Sequence, residues 1–329
     1  MSGPLPGVFL KARPTLPQLV SRLAPPVPDG IELYLHEDDV RDDDWLPTLR
    51  GRFGRLATPP GFTWVVEGPV WSLDGALFGL CRNDETDREL VRRLVALAAS
   101  LGAVAVNIHC VDGSPDAGVL QERRHDEALE RAYPFLAWYA ALCHDAGLLP
   151  LVENVPPVCR MRRQAFIYTP IGVLPGDLVA CVQAVPGLGL TLDTSHAQLA
   201  VNAGAGVAPE AAASRDLQRA LAYYRDLGGP RCLSEFVDAV LPWVVGVHVA
   251  NAAGLLAEGL PHDQGDADLA PVVRQLAGTA RYFVTEPIDQ DEQQGALKRA
   301  MQGWLLALLG RAPAAAPPAG AARGEEPPA

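Results

Sequence analysis

Eight short runs of mainly apolar, β-branched and aromatic residues recur along the chain, separated by longer stretches in which apolar positions return every three to four residues. The runs are GVFLKA (7–12), GIELYLH (30–36), FTWVVEG (62–68), AVAVNIHC (103–110), LPLVENV (149–155), LGLTLDTSH (188–196), VVGVHVAN (244–251) and RYFVTEPI (281–288). Strand patterns alternating with helical ones imply a parallel sheet with crossover helices. The helical stretch 85–102 carries acidic residues in its first turn, basic ones later and a glycine stop; 125–147 is likewise closed by a glycine. Eight parallel strands are the number that closes a barrel. An open doubly wound sheet has the same alternation, but no GxGxxG turn follows the first strand and no GxxxxGK[ST] loop occurs. The predicted fold is therefore α/β, a single-domain (β/α)8 TIM barrel over residues 1–311. Residues 312–329 are almost entirely Pro, Ala, Gly and Glu, which reads as a disordered tail.

Length and composition are compatible with one large core. The chain has 329 residues, 49% of them hydrophobic and 20% charged. A net charge of −12 argues against a phosphate backbone as the main partner. The six cysteines form no CxxC pair, so a zinc knuckle or disulfide framework is not indicated and reduced thiols in a cytoplasm are expected. No apolar run reaches the roughly 18 residues that span a bilayer, and the N-terminus is a poor signal peptide. The expected partner is a small-molecule substrate.

Strands buried on both faces should be apolar throughout, so ionisable residues near their ends require a reason. Five strands carry one at the carboxyl end: His109, Glu153, Asp193, His248 and Glu286. That edge is where barrel enzymes place their chemistry. Alternation puts Asn107 on the face of His109, and Asp193 on that of Thr191 and Ser195. Three converging carboxylates repel one another, whereas one divalent metal ion lets all three stay ionised. Carboxylate-rich donors with one imidazole suit Mn, Co, Mg or Fe better than a thiolate-type zinc site, although zinc stays open.

These residues resemble the xylose isomerase-like TIM barrel superfamily, which includes ketose epimerases, hydroxypyruvate and inosose-type enzymes, and apurinic-site (AP endonuclease family 2-like) endonucleases. The marks are LVEN (151–154), LDTSH (192–196), GVHVAN (246–251), PHDQGDADLAPVV (261–273) and VTEP (284–287). The resemblance implies metal ligation by Glu153, Asp193, His248 and Glu286. It also implies that Glu153 and Glu286 serve as an acid/base pair, in an isomerase or epimerase working on a sugar-like substrate through a metal-bound enediolate. His196 and His262 match substrate-contacting histidines, with His109 and Asn251 alongside. The endonucleases carry a histidine where this chain has Glu67, and an aspartate where it has Leu260, which removes one ligand from each of two further zinc sites. Glu67 beside His109 keeps a dinuclear centre open. Asn154, Asn202 and Asn251 keep open a multi-iron barrel oxidase acting on a peptide natural product. The same donors are compatible with a metal-dependent hydrolase or lyase, and with a scaffold that holds a metal without catalysis.

Three further segments bear on the site. CRMRRQAFIYTP (159–170) supplies Arg160, Arg162 and Arg163 for a substrate phosphate or carboxylate, or for loop salt bridges. Trp71, Phe166 and Tyr168 are expected to wall the site or to pack. EDDVRDDDW (37–45) reads as a solvated loop leading into an Asp-capped helix. Glu32 is expected to face the barrel and orient a ligand or substrate.

Overall fold

A computed structural model describes residues 5–122, 125–160, 166–207 and 214–312. The expected tail beyond residue 312 lies outside them, as do Arg162 and Arg163. Eight parallel strands form the barrel: β1 (Gly7–Ala12), β2 (Gly30–Tyr34), β3 (Thr63–Glu67), β4 (Ala105–His109), β5 (Leu149–Glu153), β6 (Gly189–Asp193), β7 (Val244–Val249) and β8 (Tyr282–Thr285). Each pairs with its sequence neighbours, and β1 pairs with β8 to close the circle.

Alternation sorts each strand between two cores. Outward residues such as Val8, Leu10, Ile31 and Leu33 are buried beneath the helices. Inward residues in the lower part of the barrel make a separate apolar plug of Phe9, Val65, Ala105, Leu151, Tyr282 and Val284. The rings of Phe9 and Tyr282 stack there with centroids 4.8 Å apart. Glycine makes the space for them: a Cβ on Gly246 would lie 2.7 Å from the Tyr282 ring, and one on Gly30 would lie 2.7 Å from the Phe9 ring. One pleat further toward the carboxyl ends, the inward positions change character to Lys11, Glu32, Glu67, Asn107, Glu153, Thr191 and His248, all buried. The barrel thus has an apolar floor and a charged upper storey.

The helices follow their sequence signals closely. Glu85–Leu101 begins where the Asp84 side chain accepts from Asp87 N at 2.9 Å, and it ends at Gly102 in the left-handed region with φ 62°. The second long helix spans His125–Asp145. The strands after β1, in contrast, stop earlier than the sequence runs do. The largest correction is at 188–196, where the strand ends at Asp193 and a helix, Thr194–Gly204, starts immediately. Ser195 and His196 are therefore helical, and strand alternation does not place Ser195 beside Asp193. Asp44 precedes the helix Trp45–Phe53 without a side-chain cap hydrogen bond, contrary to the expected Asp cap. Among the described residues no helix is long and apolar enough to cross a membrane.

Candidate active site

The carboxyl ends of the strands deliver their polar side chains to one locus. Donor atoms of Glu153, Asp193, His248 and Glu286 all lie within 4.8 Å of one another. They converge on one imidazole nitrogen: His248 Nδ1 is 2.6 Å from Glu286 Oε2, 3.2 Å from Glu153 Oε1 and 4.0 Å from Asp193 Oδ2. The other nitrogen, Nε2, faces Glu32 Oε1 at 2.5 Å. Glu32 therefore faces the barrel as expected, and it backs the imidazole with a carboxylate, an arrangement that fixes a ligating histidine in orientation.

Each carboxylate is aimed by a local partner. Asn107 Nδ2 donates to Glu153 Oε2 at 2.6 Å, leaving Oε1 for the centre. Asp193 is the N-cap of the helix that follows it: its Oδ1 accepts from His196 N at 2.7 Å, and Oδ2 turns toward His248. Helix capping thus ended the strand early. Asn154 fixes the same junction, accepting from Asp193 N at 2.7 Å and donating to Asp193 O at 3.0 Å. His196 Nδ1 donates to the Asn154 carbonyl at 2.9 Å, so Nε2 is the nitrogen turned to Glu258 Oε2, 3.8 Å away.

Two residues of the site were not signalled by the sequence. Lys11 reaches over the plug, placing Nζ 2.6 Å from Glu67 Oε2 and in contact with Glu286 Oε1. Its only sequence trace is a charged residue in phase with Phe9 in an otherwise apolar run. Glu258 arrives on a hairpin, Asn251–Ala253 with Ala257–Leu260, that no periodicity marks. Ser195 Oγ accepts from Gly259 N at 3.0 Å, and Gly259 O accepts from Ile288 N at 2.7 Å, which ties this hairpin over the centre.

Electrostatics separate the carboxylates. Burial favours the neutral acid at every one of them, but His248, His109 and Lys11 pull Glu153 down to about 2, and His248 and Lys11 hold Glu286 well below the usual carboxylate range. Burial, with Glu286 and Glu153 nearby, raises Asp193 to about 6 despite His196. Burial also pushes Glu67 well up, against the pull of Lys11. Burial opposes charge on His248, yet Glu153, Glu286 and Glu32 raise it well above an ordinary imidazole. An imidazole nitrogen faced by oxygens of three carboxylates is a donor set that a divalent cation fits.

The remaining expected residues are distributed unevenly. His109 lies beside Glu67, Nε2 to Oε1 3.5 Å, within a second donor group of Glu67, His109 and Glu153. His262 stands apart, its ring stacked on Trp304 with centroids 4.4 Å apart. Asn251 and Asn202 use their amides on the loop beside the site: Asn251 donates to His262 O and Ala267 O, and Asn202 to Gly254 O and Asp266 Oδ2. Arg160 ends a short strand, Val158–Arg160, paired with Phe166–Tyr168; Arg163 lies outside the described residues. Tyr168 is a core residue, buried to 2%.

A family model described as xylose isomerase-like TIM barrel matches residues 29–308. The chain belongs to that family. Solved structures agree on the fold. A D-tagatose 3-epimerase-like protein is 17% identical, with TM-score 0.61, covering 92% of this chain and 98% of its own. An L-ribulose 3-epimerase is 15% identical, with TM-score 0.60, covering 93% and 96%. A family protein from Mycobacterium smegmatis in complex with magnesium is 16% identical, with TM-score 0.55, covering 89% and 87%. No curated protein matches the chain. Within a xylose isomerase-like barrel, the four converging donors stand where the fold places its chemistry, at the carboxyl ends of the strands.

Proposed function

We propose that this xylose isomerase-like protein is a metal-dependent isomerase or epimerase of a small polyhydroxylated carbonyl substrate. Glu153, Asp193, His248 and Glu286 would hold one divalent cation, with Glu153 and Glu286 as the proton-transfer pair. The observation that carries the reading is the convergence of three carboxylates on His248 Nδ1. The epimerase names of two similar structures agree with it.

When bound, the cation acidifies the carbon proton beside the substrate carbonyl. Glu153, ionised at neutral pH and steadied by Asn107, accepts that proton. Glu286, ionised at rest and with its side chain 24% exposed, relays a proton from solvent to the opposite face, and Glu153 releases the proton it accepted once product leaves. His196, 16% exposed and set by the Asn154 carbonyl, offers Nε2 toward the mouth as a contact for a substrate hydroxyl.

The test is incubation of the Mn(II)-loaded protein with a panel of ketoses in deuterated water. Deuterium entering at the carbon beside the carbonyl, with Glu153→Gln lowering the rate about 10²–10⁴-fold, supports the assignment. Uptake of solvent oxygen into a cleaved product would replace it with a hydrolase. That second reading draws on one observation, the Glu67–His109–Glu153 group beside the first.

A further inference from the structure

Besides the donors around His248 Nδ1, two other groups in the barrel have the composition of a cation site: Glu32, Glu67 and His248, and Glu67, His109 and Glu153. Both contain Glu67, so whatever occupies Glu67 decides whether either can form. The occupant is Lys11, whose Nζ lies 2.6 Å from Glu67 Oε2. The same ammonium contacts Glu286 Oε1, while Glu286 Oε2 faces His248 Nδ1. Glu286 therefore bridges the first donor set and an internal cation, as a carboxylate bridges two metal ions.

We propose that the Lys11 ammonium takes the place of a second metal ion, so that this barrel accepts one divalent cation and not two. The inference rests on the metal-binding reading above. A divalent ion ligated by Glu67 Oε1 beside His109 would share that carboxylate with the ammonium on Oε2, and like charges held on one carboxylate in a water-poor interior repel strongly. The lysine is held in this position by the fold: its side chain is 10% exposed, it rises from β1 between β2 and β8, and Glu67 beneath it is 1% exposed. Among the described residues no other lysine or arginine forms an ion pair with Glu67 or Glu286. Removing the positive charge leaves Glu67 with His109 as its remaining ion-pair partner, and both become available to a metal.

The probe is Mn(II) alone, added in excess to metal-free protein and followed by desalting, elemental analysis and electron paramagnetic resonance. One ion per wild-type chain, one in Lys11→Arg, and two exchange-coupled ions in Lys11→Met would support the proposal, the second ion disappearing again in Lys11→Met/Glu67→Gln. Lys11→Gln serves as a second neutral variant should Lys11→Met not fold. One ion in both wild type and the neutral variants overturns the role of Lys11 and leaves the metal reading standing. Two ions in wild type overturn it whatever the variants do, and no ion in any form overturns both.

Discussion

Glu32 and His248 meet inside the barrel, Oε1 to Nε2 at 2.5 Å, although their strands are separated by β1 and β8 and both side chains are fully buried. The contact crosses the interior, so it depends on closure of the barrel and on the plug beneath, which sets how deep each side chain sits. Its effect is to present the opposite imidazole nitrogen, Nδ1, to Glu153, Asp193 and Glu286.

Replacing Glu32 with Gln should weaken divalent-metal affinity about 10–100-fold while the protein stays folded, because the imidazole loses the carboxylate that orients it. Competition with a fluorescent chelator measures this. Unchanged affinity would show that Glu32 is merely a buried ion-pair partner.

Asn107→Ala should destabilise the metal-free protein by about 1–3 kcal/mol in urea unfolding, since Glu153 Oε2 loses the donor at 2.6 Å within a buried site. A loss below about 0.5 kcal/mol would mean that another group or water replaces the amide.

The floor of the barrel is testable separately. Gly246→Ala puts a methyl 2.7 Å from the Tyr282 ring and should cost about 1–3 kcal/mol, with partial recovery in Gly246→Ala/Tyr282→Leu. Thermal unfolding of these two variants and of Tyr282→Leu alone decides it: additive losses would disprove the steric coupling.

Far from the centre, His125 Nε2 lies 2.7 Å from Asp177 Oδ1, and this hydrogen bond raises the histidine pKa, outweighing burial. A group whose pKa is higher folded than unfolded stabilises fully below its unfolded value, near 6.5, and loses that contribution as pH rises through the folded value. Stability should therefore fall by up to about 1 kcal/mol across that window, the modest size reflecting partial exposure. Denaturation of His125→Ala should lack this step; an identical pH profile in wild type and variant would refute it.

The fold was legible because each strand carries its own apolar run, and the convergence of Glu153, Asp193, His248 and Glu286 because an ionisable residue closes each of their four runs. Asp193 and His196 illustrate the limit of that reading. The sequence DTSH serves a strand end and a helix cap together, and alternation alone extended the strand through residues that capping had already turned. Lys11 was missed for a different reason. Its partner Glu286 lies 275 residues away, and only barrel closure through the β1–β8 pairing makes them neighbours. His262 matched its motif by position, but its ring found Trp304 on the last helix, a contact no local pattern encodes.

The charged upper storey also bears on how the protein responds to its medium. Dissolved salt screens exposed charges over about 10 Å at 0.1 M, and screens buried pairs much less. Glu32 and His248 are completely enclosed, and Lys11 and Glu67 nearly so. The field at the centre is consequently written into the barrel wall, and the same centre should present itself in dilute buffer and in brine.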